Sequence, residues 1–261
     1  MKRGSKVFLA AVLAAVALSA CGSRKEETEL RMTAIEQLNA GNYEGAISTF
    51  DLALKEADGR VGKMELDILK YRGEAEYKAG DYEAAAHTWD VLIQVDQEGP
   101  GPEYLYARSM ARAGAGKVDE AVADYQAAAD MDRQMDRNVT GRSGALIAVG
   151  RVCEAAGQPE KATELYEKAL EEGIGKESVE VYNTLAMARM ADGRYEEALR
   201  FLEEGIRTGD EKIKQDLLYN QAVSYEYTGD YKRALQIFED YQKNYGPDEG
   251  VEKEIAFLRT R

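Results

Sequence analysis

The sequence predicts an all-α chain, an α-solenoid of about six stacked helical hairpins closed by a C-terminal capping helix, and three observations predict it. Six times a Gly is followed five positions later by an Ala: Gly41/Ala46, Gly80/Ala85, Gly116/Ala121, Gly157/Ala162, Gly193/Ala198 and Gly229/Ala234. Successive glycines lie 39, 36, 41, 36 and 36 residues apart, and self-similarity at such a period is the signature of a repeat architecture. Four positions after each Ala stands a large side chain (Phe50, Trp89, Tyr125, Tyr166, Leu202, Phe238), and seven before each Gly a small one (Ala34, Gly73, Ser109, Gly150, Ala186, Ala222).

Each position has a physical reason in a helical hairpin. The Gly ends the first helix in a left-handed conformation that costs other residues energy. Asn42, Asp81 and Asp230 then fall where a side-chain oxygen can cap the second helix, and Pro159 suits a first helical position. The small residues lie where two helices approach closely, and the bulky residue one turn after the Ala fills the space that opens beyond.

Taken in order, the first element is an N-terminal segment, residues 1–20. It opens with Lys2, Arg3 and Lys6 and continues in an apolar run of 14 residues, Val7 to Ala20. A membrane-spanning helix needs about 20 such residues, so the segment reads as a secretory signal. Cys21 follows, and residues 21–27 form a short tether whose six residues after Cys21 reach at most about 20 Å. Repeats begin near Thr28, Leu66, Pro102, Ser143, Val179 and Gln215 and fill 28–248. The longest joint runs from Met131 to Arg142, between a three-repeat N-terminal half and a three-repeat C-terminal half; with no composition shift there, the chain reads as one elongated domain. Residues 249–261 place Val251, Ile255 and Leu258 on one helical face with charges elsewhere, which fits the polar-backed cap that a stack of repeats requires.

Two resemblances sharpen this reading. The segments Gly80-Asp81-Tyr82-Glu83-Ala84-Ala85 and Gly229-Asp230-Tyr231-Lys232-Arg233-Ala234 resemble the turn of a tetratricopeptide repeat, and the six units in register cover nearly all of the chain beyond residue 27. The usual length of that repeat is about 34 residues, so the periods here imply extended helices or joints. Tyr241 departs from the pattern, where a small residue is usual. The family resemblance implies a right-handed solenoid. Separately, Leu18-Ser19-Ala20-Cys21 resembles the lipobox of bacterial lipoproteins, which implies cleavage before Cys21 and acylation (palmitate) of its sulfur.

Charge and reactive residues exclude several functions. The formal net charge of −14 falls to −17 once Lys2, Arg3 and Lys6 are removed. Such a chain is repelled by nucleic acid and by anionic lipid head groups, so no nucleic-acid partner is expected and the membrane contact rests on the lipid. The single His, His87, is expected on a solvent-facing side of a second helix. One His offers no metal pair and no nucleophilic triad. Cys153 reads as a small buried thiol in a first helix. Runs such as Glu171-Glu172 and Glu196-Glu197 read as solvated helix faces. No catalytic residue, metal or cofactor is expected, and the chain reads as a non-enzyme.

In the resembled family the first helices of successive hairpins line a concave groove that grips a peptide or a partner's helix. That geometry implies a groove bearing Arg31, Asn39, Tyr71, Glu74, Tyr77, Tyr106, Met110, Arg151, Glu154, Asn183, Met187, Tyr219, Asn220 and Tyr227. Tyr and Met suit adaptable binding surfaces. The Lys and Asn set with which chaperone-binding members hold a C-terminal carboxylate is not carried over, because Lys70, Asn183 and Asn220 do not come from three consecutive units. The expected protein is a lipid-anchored, extracytoplasmic scaffold in a bacterial cell envelope, binding a protein or peptide partner at or near the membrane. The alternatives are a client-recognising subunit or chaperone of an envelope assembly, secretion or pilus machine, and a lipoprotein that captures a glycan or other small ligand.

Overall fold

The structure is a computed structural model that describes residues 24–133, 139–209 and 211–261. The signal segment and Cys21 lie outside the described residues. Among the described residues the chain forms thirteen helices and no strand: α1 (24–39), α2 (Tyr43–Glu56), α3 (Lys63–Ala79), α4 (Tyr82–Val95), α5 (Pro102–Gly114), α6 (Val118–Asp132), α7 (Arg142–Ala155), α8 (Pro159–Glu171), α9 (Val179–Ala191), α10 (Tyr195–Arg207), α11 (Glu211–Tyr227), α12 (Tyr231–Tyr245) and α13 (Glu249–Leu258). They pair in sequence as hairpins, and within each compact unit every hairpin packs on the next. None of these helices is long and apolar enough to cross a membrane.

The chain divides into two compact units, one ending at Gly141 and one spanning Arg142–Arg261. The first holds α1 to α6 and the second α7 to α13. The division falls in the longest joint, between the three-repeat halves. The starting point of the first repeat is corrected. Residues 24–27 form the first turn of α1 rather than a tether, and Glu27 is fully buried, accepting a hydrogen bond from Arg60 Nη2 at 2.9 Å.

The repeat chemistry is visible atom by atom. All six repeat glycines have φ between 72° and 84°, the left-handed region that an L side chain enters at a cost. Asn42, Asp81 and Asp230 accept hydrogen bonds from the backbone N–H of Gly45, Ala84 and Arg233 at 3.2, 3.1 and 3.1 Å. The six alanines of the pairs have no exposed surface, and the six large residues after them are all buried. The two glycines among their small counterparts sit where a side chain would collide. A Cβ at Gly73 would come 2.9 Å from the Trp89 ring, and one at Gly150 would run into the Tyr166 hydroxyl.

Charge joins helices in the first unit as well. Arg108 of α5 donates to Asp90 of α4 at 2.6 Å and to both oxygens of Asp124 of α6, at 2.8 and 2.6 Å. Arg112 adds a bond to Asp124 at 2.8 Å. Asp124 is 5% exposed, so its pairs with Arg108 and Arg112 are shielded from water and held in fixed geometry. In the second unit α13 closes the stack with Val251, Ile255 and Leu258 buried, and Asp248 caps it by accepting from the Val251 N–H at 3.0 Å. Cys153 is a buried thiol, and Tyr241 fits as a large residue by packing its ring on Tyr219 and Tyr245.

Candidate functional site

The first unit carries an open cleft of about 660 Å³ between α3 and α5. One stripe of α3 forms a wall: Asp67, Lys70, Tyr71, Glu74 and Tyr77, spaced by three and four so that all project from one helical face. Glu103, Tyr104, Ala107 and Met110 of α5 form the other, Trp89 lines it from α4, and Asp96 and Glu98 border it from the α4–α5 loop. Trp89 reaches the cleft because Gly73 leaves it room on α3.

The wall side chains are held by their neighbours. Tyr71 stacks on the buried Phe50 ring at 6.3 Å and lies under the Arg31 guanidinium at 5.8 Å. Arg31 is ion-paired with Asp67, its Nε donating at 2.7 Å. Tyr77 meets Tyr82 edge to face at 5.3 Å, and Trp89 lies 6.1 Å from Tyr104. The Tyr104 hydroxyl donates to Asp96 at 3.1 Å, while the other Asp96 oxygen accepts from the Glu98 N–H at 3.1 Å. These two bonds fix the loop against α5. The Lys70 ammonium sits 5.0 Å from the centre of the Tyr104 ring. Burial alone would lower its pKa, but Tyr104, Asp67 and Asp96 outweigh burial and raise it. Lys70 is therefore a permanent cation at neutral pH. Burial also pushes the Tyr104 hydroxyl up, against the pull of Lys70.

The structure thus brings together four of the expected groove residues, Tyr71, Glu74, Tyr77 and Met110, with Arg31 bracing the wall from α1. Asn39 stands exposed at the end of α1, outside the cleft. Tyr106 is corrected outright. It is fully buried, its hydroxyl donates to Asp132 at 3.0 Å, and its ring packs 5.7 Å from Tyr125. The residues that the sequence reading missed as groove members are Asp67, Trp89, Asp96, Glu98, Glu103 and Tyr104. Extending the Tyr71–Glu74–Tyr77 stripe back by one turn would have found Asp67. His87 is exposed on α4.

In the second unit, Arg151 grips Glu180 through two bonds of 2.5 and 2.7 Å. Glu154 and Asn183 are half-buried beside this pair, and neither Glu154 Oε1 nor Asn183 Oδ1 has a hydrogen-bond partner. Burial pushes the Glu154 carboxyl up, opposed by a bond from the Thr184 hydroxyl. Met187 is 54% exposed. Tyr219 faces Phe238 and Tyr241 edge to face, so its ring belongs to the packing of the last hairpin, and Asn220 beside it is half-buried. Tyr227 stacks on Tyr195 at 4.3 Å across the α10 and α11 ends.

Chemically, the cleft offers aromatic contact area with polar groups at its edge, the make-up of a recognition site. Among the described residues no group of three His, Cys, Asp or Glu side chains could hold a metal ion. Family profiles of the tetratricopeptide repeat match residues 31–101, 71–136, 106–177, 154–215 and 216–246. No curated protein matches the chain. Several solved structures share its fold. PilF of Pseudomonas aeruginosa aligns with a TM-score of 0.61 at 15% identity, over 92% of this chain and 99% of that one. A tetratricopeptide repeat protein from Parabacteroides merdae gives 0.59 at 16%, over 90% and 86%. YrrB, described as a TPR protein with an unusual peptide-binding site, gives 0.52 at 18%, over 77% and 94%. The fold is one that generally mediates protein–protein interactions and is generally non-enzymatic. With family profiles matched along more than half of its length, this chain belongs to the tetratricopeptide repeat family.

Proposed function

We propose that this protein is a lipid-anchored, extracytoplasmic scaffold of a bacterial cell envelope, which recruits a partner protein through the inner faces of its hairpins. The observation that carries the recruiting role is the α3/α5 cleft: two successive first helices turn Tyr71, Glu74, Tyr77 and Met110 toward one space. The lipid anchor and the compartment are supported by the basic start, the short apolar run and the Leu18-Ser19-Ala20-Cys21 segment. A client-recognising subunit of an envelope assembly machine is the narrower form of the same reading.

In-cell photocrosslinking tests the recruiting role. A photoreactive residue at Tyr71 should capture one dominant envelope protein, and one at the exposed His87 on α4 should not. Identical captures from both positions, or many weak ones from Tyr71, would overturn the reading. A second reading draws on the aromatic rings around the cleft, which suit the faces of sugar rings. It predicts a rise in melting temperature with cell-wall glycan fragments, and no such rise is expected of a protein-binding cleft.

A further inference from the structure

We infer that the α3/α5 cleft takes a cationic segment of its partner protein, one that alternates Lys or Arg with apolar side chains. The inference rests on the reading of this cleft as the docking site and adds the chemistry of what docks. Five carboxylates line the cleft (Asp67, Glu74, Asp96, Glu98 and Glu103) against the single ammonium of Lys70.

The neighbouring cations neutralise this charge only in part. Arg31 is committed to Asp67, and Lys78 reaches Glu74 at 2.7 Å from the next turn of α3. Asp96 accepts from the uncharged Tyr104 hydroxyl and from a backbone N–H, bonds that orient a carboxylate without cancelling its charge. Glu98 is exposed at the rim. A cleft walled by low-dielectric rings and carrying an excess of one sign of charge focuses its field on the space between.

The walls favour the same occupant. Tyr and Trp faces carry a negative quadrupole that attracts ammonium and guanidinium groups. The protein already uses that attraction at this place, with Lys70 over Tyr104 and Arg31 over Tyr71. The methylene stems of Lys and Arg pack on apolar surface while their heads reach the rim, which matches a cleft with rings and Met110 inside and carboxylates at its edge. An acidic segment would meet the carboxylates as like charges.

The chain contains one tryptophan, and it is Trp89, inside the cleft. Tryptophan emission therefore reports occupancy of this place and no other. The experiment titrates the full chain with a dye-labelled peptide alternating Lys and Leu, and with its Glu/Leu counterpart, at low and high salt. Dye anisotropy follows binding and Trp89 emission follows location. The Lys/Leu peptide should bind with a shift in Trp89 emission. The Glu98→Lys and Glu74→Lys double variant, checked for unchanged helicity, should weaken it about tenfold, and added salt should weaken it as well. Equal binding of both peptides with a Trp89 response would overturn the charge assignment and leave the cleft as the docking site. Binding of the Lys/Leu peptide without a Trp89 response would mean general attraction to an acidic surface and overturn the inference. Binding of neither peptide would overturn it too.

Discussion

Gly150 and Tyr166 contest one small volume, and the outcome shows how a repeat position is enforced. The Tyr166 ring is fully buried, and its hydroxyl, which has no hydrogen-bond partner, points at the space where a Gly150 side chain would stand. Gly150→Ala should destabilise the protein by about 1–3 kcal/mol through overpacking. Tyr166→Phe should be neutral or stabilising, because an unpartnered buried hydroxyl is removed, and it should relieve part of the Gly150→Ala loss. A double-mutant cycle by urea denaturation measures that coupling. Gly157 makes the contrast. Nothing lies within 4 Å of an added Cβ there, yet φ is 72°, so Gly157→Ala should cost about 1–2 kcal/mol through the backbone alone. Glu76 adds a pH dependence. Burial raises its pKa against the opposing pull of Thr88 and Arg72, so the folded state holds the proton more tightly than the unfolded chain. Its unfavourable contribution is then full above the folded pKa and fades as pH falls through it toward 4.5, the ordinary glutamate value. Glu76→Gln should raise the melting temperature at pH 7, and the difference should vanish near pH 4.

At the scale of the element, each hairpin is joined by local chemistry that can be removed one bond at a time. Asp81→Ala deletes the cap of α4 and should cost about 1 kcal/mol, measured by thermal melting. This layer was legible in the sequence because it depends on residues close in the chain: a Gly at each turn, an Asn or Asp after it, a small residue facing a large one. The faces of the helices were less legible. Tyr106 and Met110 are one turn apart, and a helical stripe treats them alike. In the structure Tyr106 turns toward α6, where Asp132 accepts its hydroxyl and Tyr125 meets its ring, while Tyr104 takes the place beside the cleft. A polar acceptor 26 residues away decided that rotation, and no local pattern announces it. Trp89 escaped for a different reason. Its place in the repeat marks it as packing, and it does pack on Gly73, but an indole is wide enough to pack with one edge and line a cleft with another.

At the scale of the whole molecule, one test addresses the compartment. Cys21→Ala should move the protein from the membrane to the soluble fraction, and a mutant that stays with the membrane after a salt wash would refute the lipid anchor. Repeat architecture also poses a problem of identity, since its helices present nearly the same small and large side chains to one another. Apolar matching alone would accept a hairpin from the wrong repeat, or from another copy of the chain, almost as readily as the right one. The Arg108–Asp90–Asp124 network is an address. Ser109 has counterparts in every unit, and arginines at equivalent places bridge carboxylates in other hairpins, Arg72 to Asp51 and Arg189 to Glu167 and Glu197. Among the described residues, however, it is across α4, α5 and α6 that two arginines share two aspartates. Exchanging Asp90, Arg108, Arg112 and Asp124 together for apolar residues of similar volume should leave helicity and melting temperature little changed. It should release swapped dimers on refolding, visible by size-exclusion chromatography. The charges there serve less to hold three helices together than to ensure that they are the right three.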